Sequence, residues 1–274
     1  LSAQTYERML ADVQDAARRD LPQTALQHAR RMAVRAEDEG QTAWLLRAMM
    51  LRLWLHEDLS ADSARIDLTQ LRRMAAAEQR PVERALWHVV TGHAEGALQA
   101  DTAAQARARR CFDTALADLR PLAEARTDAY QPLFVTGRDS RLYADDLLSV
   151  VLLSVTATPI FDSDSRAALR GRARRLYDTM GRRDAALLCA IDSVQQALAA
   201  EDHSAEAIRS AGAALCRLAE QYASAEAAVE IYIAYTHLPT PYGTADDAAA
   251  DRLAMAREGL ERYSRQARAA VLRQ

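Results

Sequence analysis

The chain has 274 residues and a formal net charge of −3, and 50% of its residues are hydrophobic although only 5% are aromatic. This near-neutral charge argues against a dedicated nucleic-acid binder, which would carry a basic domain or stripe. All 35 basic residues are arginine, so a P-loop lysine and a Schiff-base lysine are both excluded.

Composition and periodicity together predict an all-α protein. Glycine (9) and proline (7) are scarce, and the apolar residues are mostly alanine and leucine, which favour helices. Apolar residues recur with helical spacing between short breaks, for example before Pro22 and Pro81 and at Gly40 and Gly181. The predicted helices cover residues 2–19, 22–40, 41–57, 64–76, 82–98, 102–119, 140–156, 165–180, 184–199, 204–222, 224–237 and 245–274.

The first two helices after Pro22 form a hairpin about the size of a tetratricopeptide-like unit. The second of them, residues 41–57, is apolar on nearly every face, which predicts a central helix that buries Trp44, Leu53 and Trp54. We therefore expect stacked helical hairpins, either a tetratricopeptide-like α-solenoid or an irregular α-α superhelix. Residues 1–274 are predicted to form one domain, with the loop at 121–139 as its candidate seam.

Metal and cofactor sites are not predicted. His88 and His93 are five residues apart, so they point to different faces of a helix, and Glu95 does not complete an HExxH pattern. The stretch FDSDSR lacks the glycine and the closing glutamate of a calcium loop, so Asp162 and Asp164 are interpreted as acids at the start of a helix. The three cysteines are widely spaced and are expected to be small buried hydrophobes.

The most basic segment, residues 161–184, carries seven arginines, which would suit a phosphate or an acidic partner. It lacks the interleaved aromatic residues and the glycine loop typical of nucleic-acid binding. It is interpreted as a solvated helix face. Catalytic patterns such as GxSxG, GxGxxG and CxxC are absent from the sequence, and carboxylates are spread along helix surfaces. We therefore predict that the chain is not an enzyme. It also lacks an apolar run of the ~20 residues needed to span a membrane.

The stretch YQPLFVTGRDSRLYADDLLSVV (130–151) is the least helix-like part of the chain. Asp139 or Ser140 is suited to the N-cap of the following helix, and that start explains most of the charged cluster. A long loop in a chain of short turns is nevertheless usually either packed and functional or flexible. If this loop has a role, we expect Arg138, Asp139 and Tyr143 to make its contacts.

Several blocks resemble the N-terminal helical region of bacterial alpha-2-macroglobulin-like proteins, also called large extracellular alpha-helical proteins. They occur in the same order as in that family and cover most of the chain. The blocks are LSAQTYERMLADVQDAARRDLPQTAL, EQRPVERALWHVVTGHAEG, YQPLFVTGRDSRLYADDLLSVV, GRRDAALLCAIDSV and AREGLERYSRQARAAVLRQ.

The resemblance implies an envelope protein that is secreted across the inner membrane and is periplasmic, anchored to the outer membrane or at the cell surface. In the family, this region follows a signal peptide, often with a lipidation cysteine, and precedes macroglobulin β-domains, which this chain does not contain. Family members are thought to act as protease traps. The partners implied are the following domains of the same polypeptide, proteases and envelope proteins. The family's Cys-x-Glu-Gln thioester is not matched by CRLAEQ (216–221), so no thioester chemistry is assigned.

Two function classes and a weaker third remain open. The first is a non-catalytic scaffold or protein-interaction domain of such a macroglobulin-like protein. The second is a stand-alone tetratricopeptide-like surface lipoprotein that binds a glycan or peptide in a groove lined by Trp87, Tyr130, Tyr143 and Tyr242. The third, an all-α enzyme, requires a cleft of mutually close titratable groups, which the sequence does not indicate.

Overall fold

The computed structural model describes residues 5–98, 101–134, 145–201, 203–240 and 245–273. Within these residues the regular secondary structure is helical, and β-type pairing is confined to an isolated bridge between Arg126 and Asp146. The all-α prediction is confirmed. The described residues pack as two compact units. The first runs to Ile160, and the second runs from Phe161 and also includes Asp145.

The first unit is built from successive helical hairpins. Its α-helices are α1 (Tyr6–Arg18), α2 (Pro22–Asp38), α3 (Thr42–Leu59), α4 (Ala61–Ala77), α5 (Pro81–Leu98), α6 (Thr102–Ala115), α7 (Arg120–Glu124) and α8 (Leu147–Thr156). From α1 to α6 each helix packs against the next one in the chain, and α3 also packs against α5. This is the contact pattern of stacked hairpins, in which every unit contacts its neighbours.

Local sequence signals set the ends of these helices. Thr5 and Ser60 act as N-caps of α1 and α4, because each side chain accepts a hydrogen bond from the backbone N–H three residues later. Gly40 ends α2 with a φ of 65°, and Asp20 adopts a φ of 55° in the turn between α1 and α2. Both are the left-handed conformation that commonly terminates a helix.

Helix α3 is central, since it packs against α2, α4 and α5. Its residues Leu46 and Met49 are completely buried. Trp54 was predicted to be buried with them, but it is 53% exposed, so that prediction is wrong. Because α3 is apolar on nearly every face, periodicity could not indicate which face its neighbours leave open.

The predicted loop at 121–139 is ordered in its described part. Helix α6 ends at Ala115, α7 follows, and a 3-10 helix spans Thr127–Leu133. This 3-10 helix packs against α3, and the Tyr130 hydroxyl donates a hydrogen bond to Glu83 Oε1 on α5 at 3.1 Å. The segment is therefore packed onto the hairpins that precede it.

The second unit repeats the hairpin arrangement. Its α-helices are α9 (Ser163–Thr179), α10 (Arg183–Ala200), α11 (Ala205–Gln221), α12 (Val229–Thr236) and α13 (Ala245–Tyr263), with 3-10 helices at Glu226–Ala228 and Ala267–Arg273. Each α-helix packs against the next. Three buried tyrosines lie in its core, Tyr177, Tyr222 and Tyr232.

Candidate functional site

The three residues predicted to make contacts, Arg138, Asp139 and Tyr143, lie outside the described residues. Their neighbours Asp145 and Asp146 are described. The structure therefore shows only the C-terminal edge of the charged cluster at 138–146, where the chain begins α8.

Asp146 is the N-cap of α8. It is 1% exposed, and its carboxylate accepts hydrogen bonds from the backbone N–H of Ser149 at 2.9 Å and from the Ser149 hydroxyl at 3.1 Å. The interpretation of this edge as a helix start holds, with Asp146 as the cap of α8, whereas Asp139 and Ser140 lie outside the described residues. Sequence reasoning placed Asp146 inside the helix because several capping residues occur in succession here.

Asp145, the residue before this cap, pairs within the second unit. Its Oδ1 lies 2.5 Å from Arg182 Nη2, and the Arg182 guanidinium lies over the Tyr177 ring at 5.7 Å from the centroid. The two adjacent aspartates therefore have separate structural roles.

A buried carboxylate at Asp67 joins α3 to α4. Asp67 is 1% exposed; its oxygens lie 2.5 Å from Arg52 Nη2 and 2.6 Å from His56 Nδ1. On the other side of the ring, His56 Nε2 lies 3.5 Å from Arg30 Nη2. An imidazole oriented by a carboxylate is also the geometry of a catalytic base, but here the second ring nitrogen faces a guanidinium.

A second buried carboxylate, Glu95 on α5, joins three helices. It is 1% exposed, and it accepts hydrogen bonds from Arg72 Nε on α4 at 2.5 Å and from Arg107 Nε on α6 at 2.9 Å. Burial would raise the pKa of Glu95, but these two arginines more than offset burial and lower it. Glu95 is therefore held as a carboxylate between two cations.

A polar network lies at the turn between α4 and α5. The Arg80 guanidinium donates to Glu78 and, at 2.7 Å, to the Thr42 hydroxyl. Hydrogen bonds from Arg80 lower the pKa of Glu78 to about 2, against the opposing effect of partial burial. Burial, together with the neighbouring Glu83 carboxylate, raises the pKa of Tyr130 to about 12. These groups tie the 3-10 helix to the ends of α3 and α5.

His88 and His93 do not form a shared site. His93 Nε2 lies 2.7 Å from the Ser154 hydroxyl, and its ring packs edge-on against Phe112. Burial lowers the pKa of both histidines, and the nearby Arg84 adds to the effect at His88. Among the described residues, no group of three or more His, Cys, Asp or Glu side chains could hold a metal ion.

The basic segment around α9 is only partly a solvated face. Asp162 is the N-cap of α9, accepting from Ser165 N at 2.7 Å, and Asp164 lies in its first turn, as interpreted. Arg170, however, is only 7% exposed and lies near Asp192, with 3.7 Å between Nε and Oδ2. The prediction of a solvated face is wrong for Arg170.

The cysteines also differ from expectation. Cys111 and Cys189 are half-buried, whereas Cys216 is exposed. Burial raises the pKa of the Cys111 and Cys216 thiols, with the nearby Glu95 and Glu258 carboxylates adding to the effect, so both thiols favour the protonated form.

The aromatic groove predicted for a stand-alone binder is not assembled by the residues that the structure describes. Trp87 is 2% exposed and belongs to the core, and Tyr130 is half-buried against Glu83. Tyr143 and Tyr242 lie outside the described residues. Trp54 is an exposed aromatic ring that lines an open hollow, beside Leu51 of α3 and Val13 of α1.

An open groove of about 420 Å³ runs between α10 and α11; we call it the α10–α11 groove. Its floor is apolar and includes Val194, Leu198, Ala211 and Leu218. At the turn that joins the two helices, the groove ends at Glu201. At the opposite end lie two arginines and one amide, Arg174, Arg217 and Gln221.

Comparisons with known proteins give no match to a family model, to a curated protein or to a solved structure. Among the described residues, the helices are too short or too polar for any of them to cross a membrane.

Proposed function

We propose that this chain is a non-catalytic helical scaffold and protein-interaction domain of an envelope macroglobulin-like protein, a protease-trap inhibitor. The observation that carries the non-catalytic part is the placement of the most buried carboxylates. Asp67, Glu95 and Asp146 each join helices or cap one, and their oxygens are occupied by arginines, a histidine or a helix N-terminus. Such groups stabilise one packing of the helices and leave little to act on a substrate.

The macroglobulin part of the proposal is supported by the ordered sequence blocks described above. Under it, the chain acts outside the inner membrane, in the periplasm or at the cell surface, as the helical head of a longer polypeptide. Its partners are the β-domains that follow it, together with proteases or other envelope proteins. No cofactor is required for this role.

The native size of the protein tests the macroglobulin part. An immunoblot of fractionated source cells, with an antibody against this chain, should give a band several times larger than 30.3 kDa in the membrane or periplasmic fraction. Blots of a cytosolic marker and a periplasmic marker control the fractionation. A soluble band near 30.3 kDa would contradict the assignment to a macroglobulin-like protein.

A stand-alone surface lipoprotein that binds a glycan or peptide is the second candidate, and it is supported by Trp54. This ring is 53% exposed beside a hollow of about 460 Å³. Exposed aromatic rings over apolar hollows are common anchors for ligands. Under this alternative, glycan or peptide ligands change the tryptophan fluorescence of the wild type but not that of a Trp54→Phe variant. Equal responses of the two proteins would count against it.

A further inference from the structure

Helix α3 leaves part of its apolar surface uncovered in the first unit, next to the hollow at Trp54. We propose that this surface binds a short acidic segment of a partner protein, with an apolar side chain packed on Trp54 and a carboxylate paired with Arg47. This inference rests on the interaction role proposed above, and it specifies the surface and the chemistry of the partner.

The uncovered surface of α3 is a stripe of residues at helical spacing. Arg47, Met50 and Trp54 follow each other at intervals of three and four residues, so their side chains lie on one face of the helix. Met50 is 36% exposed and Trp54 is 53% exposed, so neither side chain belongs to the core. Contiguous exposed apolar surface is typical of interaction sites, whereas isolated exposed apolar residues are normal.

The hollow beside this stripe gives an apolar side chain a place to pack. It has a volume of about 460 Å³ and is lined by Val13, Gln14, Ala17 and Arg18 of α1 and by Leu51 and Trp54 of α3. Val13 is buried, whereas Ala17 and Leu51 are only partly buried and present apolar surface to the hollow. Met50 beside the Trp54 ring favours a peptide side chain over a sugar, because a thioether provides apolar contact and is only a weak hydrogen-bond acceptor.

Arg47 is a cation that the described part of the chain leaves without a partner. Its Nε atom is buried and makes no hydrogen bond, and no carboxylate among the described residues pairs with its guanidinium. A buried donor without an acceptor is costly to the folded chain. A carboxylate of a ligand supplies the missing acceptor, and hydrogen bonds between two charged groups are stronger than those between neutral groups.

The charges near Trp54 are mixed, so they do not select a ligand of one sign. Arg18 and Arg19 share Asp15, at 3.5 and 3.7 Å, and Glu57 follows Trp54 by three residues on α3. At the other end of the stripe, the described residues place no acid within ion-pair distance of Arg47. The charge complementarity of the surface therefore points to one carboxylate on the ligand, at the Arg47 end.

The distance between the two anchor points sets the spacing of the ligand. Arg47 and Trp54 are seven residues apart on α3, which places their Cα atoms ~10 Å apart along the helix axis. An extended chain covers ~10 Å in three residues. In a polyproline II helix, residues three apart also lie on the same side. The matching segment therefore carries its acidic residue three positions from its apolar residue.

The test uses the full chain and two model peptides with fluorescent labels. One contains Glu-Pro-Pro-Phe and the other contains Arg-Pro-Pro-Phe, and each is made in both sequence orders because the two anchor points do not fix the direction of the chain. Fluorescence anisotropy gives the dissociation constants. We expect the glutamate peptide to bind the wild type at least about tenfold more tightly than the arginine peptide. Arg47→Glu should reverse that preference, and Trp54→Ala should weaken the binding of both peptides.

The matched control is Arg73→Glu. Arg73 is an exposed arginine of α4 that lines a different hollow. This variant makes the same change of net charge, so it should keep the preference of the wild type. Arg47→Gln is a milder change at the partly buried position, and it should abolish the preference without reversing it. Circular dichroism and thermal melting check that each variant is folded.

Three results overturn the proposal. They are no binding of either peptide, equal binding of the two peptides to the wild type, and equal effects of Arg47→Glu and Arg73→Glu.

An oligosaccharide of galacturonic acid distinguishes a peptide from an acidic glycan at the same surface. If the oligosaccharide binds in a Trp54-dependent manner and neither peptide binds, the surface is a glycan site and the proposal fails. Failure of this surface is separable from failure of the proposed function. The immunoblot reports on the parent protein alone, and the anisotropy measurement reports on the α3 surface alone.

Discussion

Asp67 is a residue at which a single substitution should be strongly destabilising. Asp67→Ala leaves the cationic Arg52 side chain, 16% exposed, and the buried His56 ring without their shared carboxylate. Removal of one partner from a buried ion pair typically costs about 3–5 kcal/mol. We expect a loss of that size in the free energy of unfolding, measured by urea denaturation.

The control for this variant is Asp62→Ala on the same helix. The Asp62 side chain is 88% exposed and pairs with Arg65 at 3.0 Å. Exposed pairs contribute about 0–1 kcal/mol, so this variant should stay close to the wild type. If both variants lose the same amount, the burial of Asp67 is not what stabilises the α3–α4 hairpin.

The lowered pKa of Glu78 predicts how the free energy of unfolding depends on pH. Hydrogen bonds from Arg80 lower its pKa from 4.5 to about 2 in the folded chain. A lowered folded-state pKa contributes stability that is present above pH 4.5 and is lost as the pH falls towards 2. In Glu78→Gln this contribution is missing, so the free energy of unfolding should fall less steeply between those pH values than in the wild type.

The partner residue provides the check on this mechanism. Arg80→Met removes the guanidinium and should flatten the pH dependence in the same direction as Glu78→Gln. The double variant should add little to either single change, because both act on one interaction. A wild-type slope in Arg80→Met would show that the shift at Glu78 has another origin.

These residue-scale features were the least predictable from sequence. From the sequence pattern, Asp67 and Glu95 are indistinguishable from ordinary exposed acids on amphipathic helices. Their partners lie 11 to 23 residues away, on other helices. Periodicity assigns a residue to a helix face, but it does not indicate which charged residues of the facing helix lie at the same height. Trp54 was misassigned for the same reason, since its exposure depends on which neighbours cover α3.

At the scale of elements, the contact between α5 and α6 depends on Gly92. A Cβ atom at this position would lie 2.7 Å from Phe112 Cε1, and Phe112 is completely buried. Replacing glycine by alanine inside a helix normally stabilises it by about 1 kcal/mol. Here the clash should dominate, because over-packing of a core costs about 1–3 kcal/mol. We expect Gly92→Ala to lower the melting temperature.

Gly171→Ala on α9 is the matched control for this effect. A Cβ atom there would meet only Arg175 Nη1, at 3.5 Å, which is an ordinary contact with a flexible side chain. This variant should raise the melting temperature. Phe112→Leu should rescue part of the loss caused by Gly92→Ala, and no rescue would place the strain elsewhere.

The helices themselves were largely predictable from sequence. Caps, prolines and glycines placed α2, α5 and α10 within one or two residues of their ends. The described stretch that follows α6, up to Phe134, was not predicted correctly. Pro121 and Pro132 indicated a loop, whereas the chain forms α7 and a 3-10 helix there. Proline is compatible with the first turn of a helix, and short 3-10 helices lack a strong apolar period.

At the scale of the molecule, each of the two compact units buries leucine side chains of its own. Leu122 and Leu215 are buried in the first and second unit, at 0% and 1% exposure. Truncation of such a leucine to alanine typically costs about 2–5 kcal/mol. We expect Leu122→Ala to speed amide hydrogen exchange mainly in α1–α8, and Leu215→Ala mainly in α9–α13.

Each of these two variants is the control for the other, because the same leucine-to-alanine change is made in each unit. Exchange is followed by mass spectrometry of peptides from the full chain. If either variant speeds exchange equally in both units, the chain unfolds as one cooperative body, and the two units do not unfold independently.

The buried carboxylates also bear on how such a chain can change during evolution. In helical repeats each unit contacts only its neighbours, so the loss or insertion of a hairpin changes only the interfaces beside it. Here Glu95 on α5 is held by Arg72 from the preceding helix and Arg107 from the following one. Removal of α4, or insertion of a foreign hairpin beside α5, would leave the buried Glu95 carboxylate without one of its arginine partners. The order of α4, α5 and α6 is therefore constrained by electrostatics as well as by apolar packing.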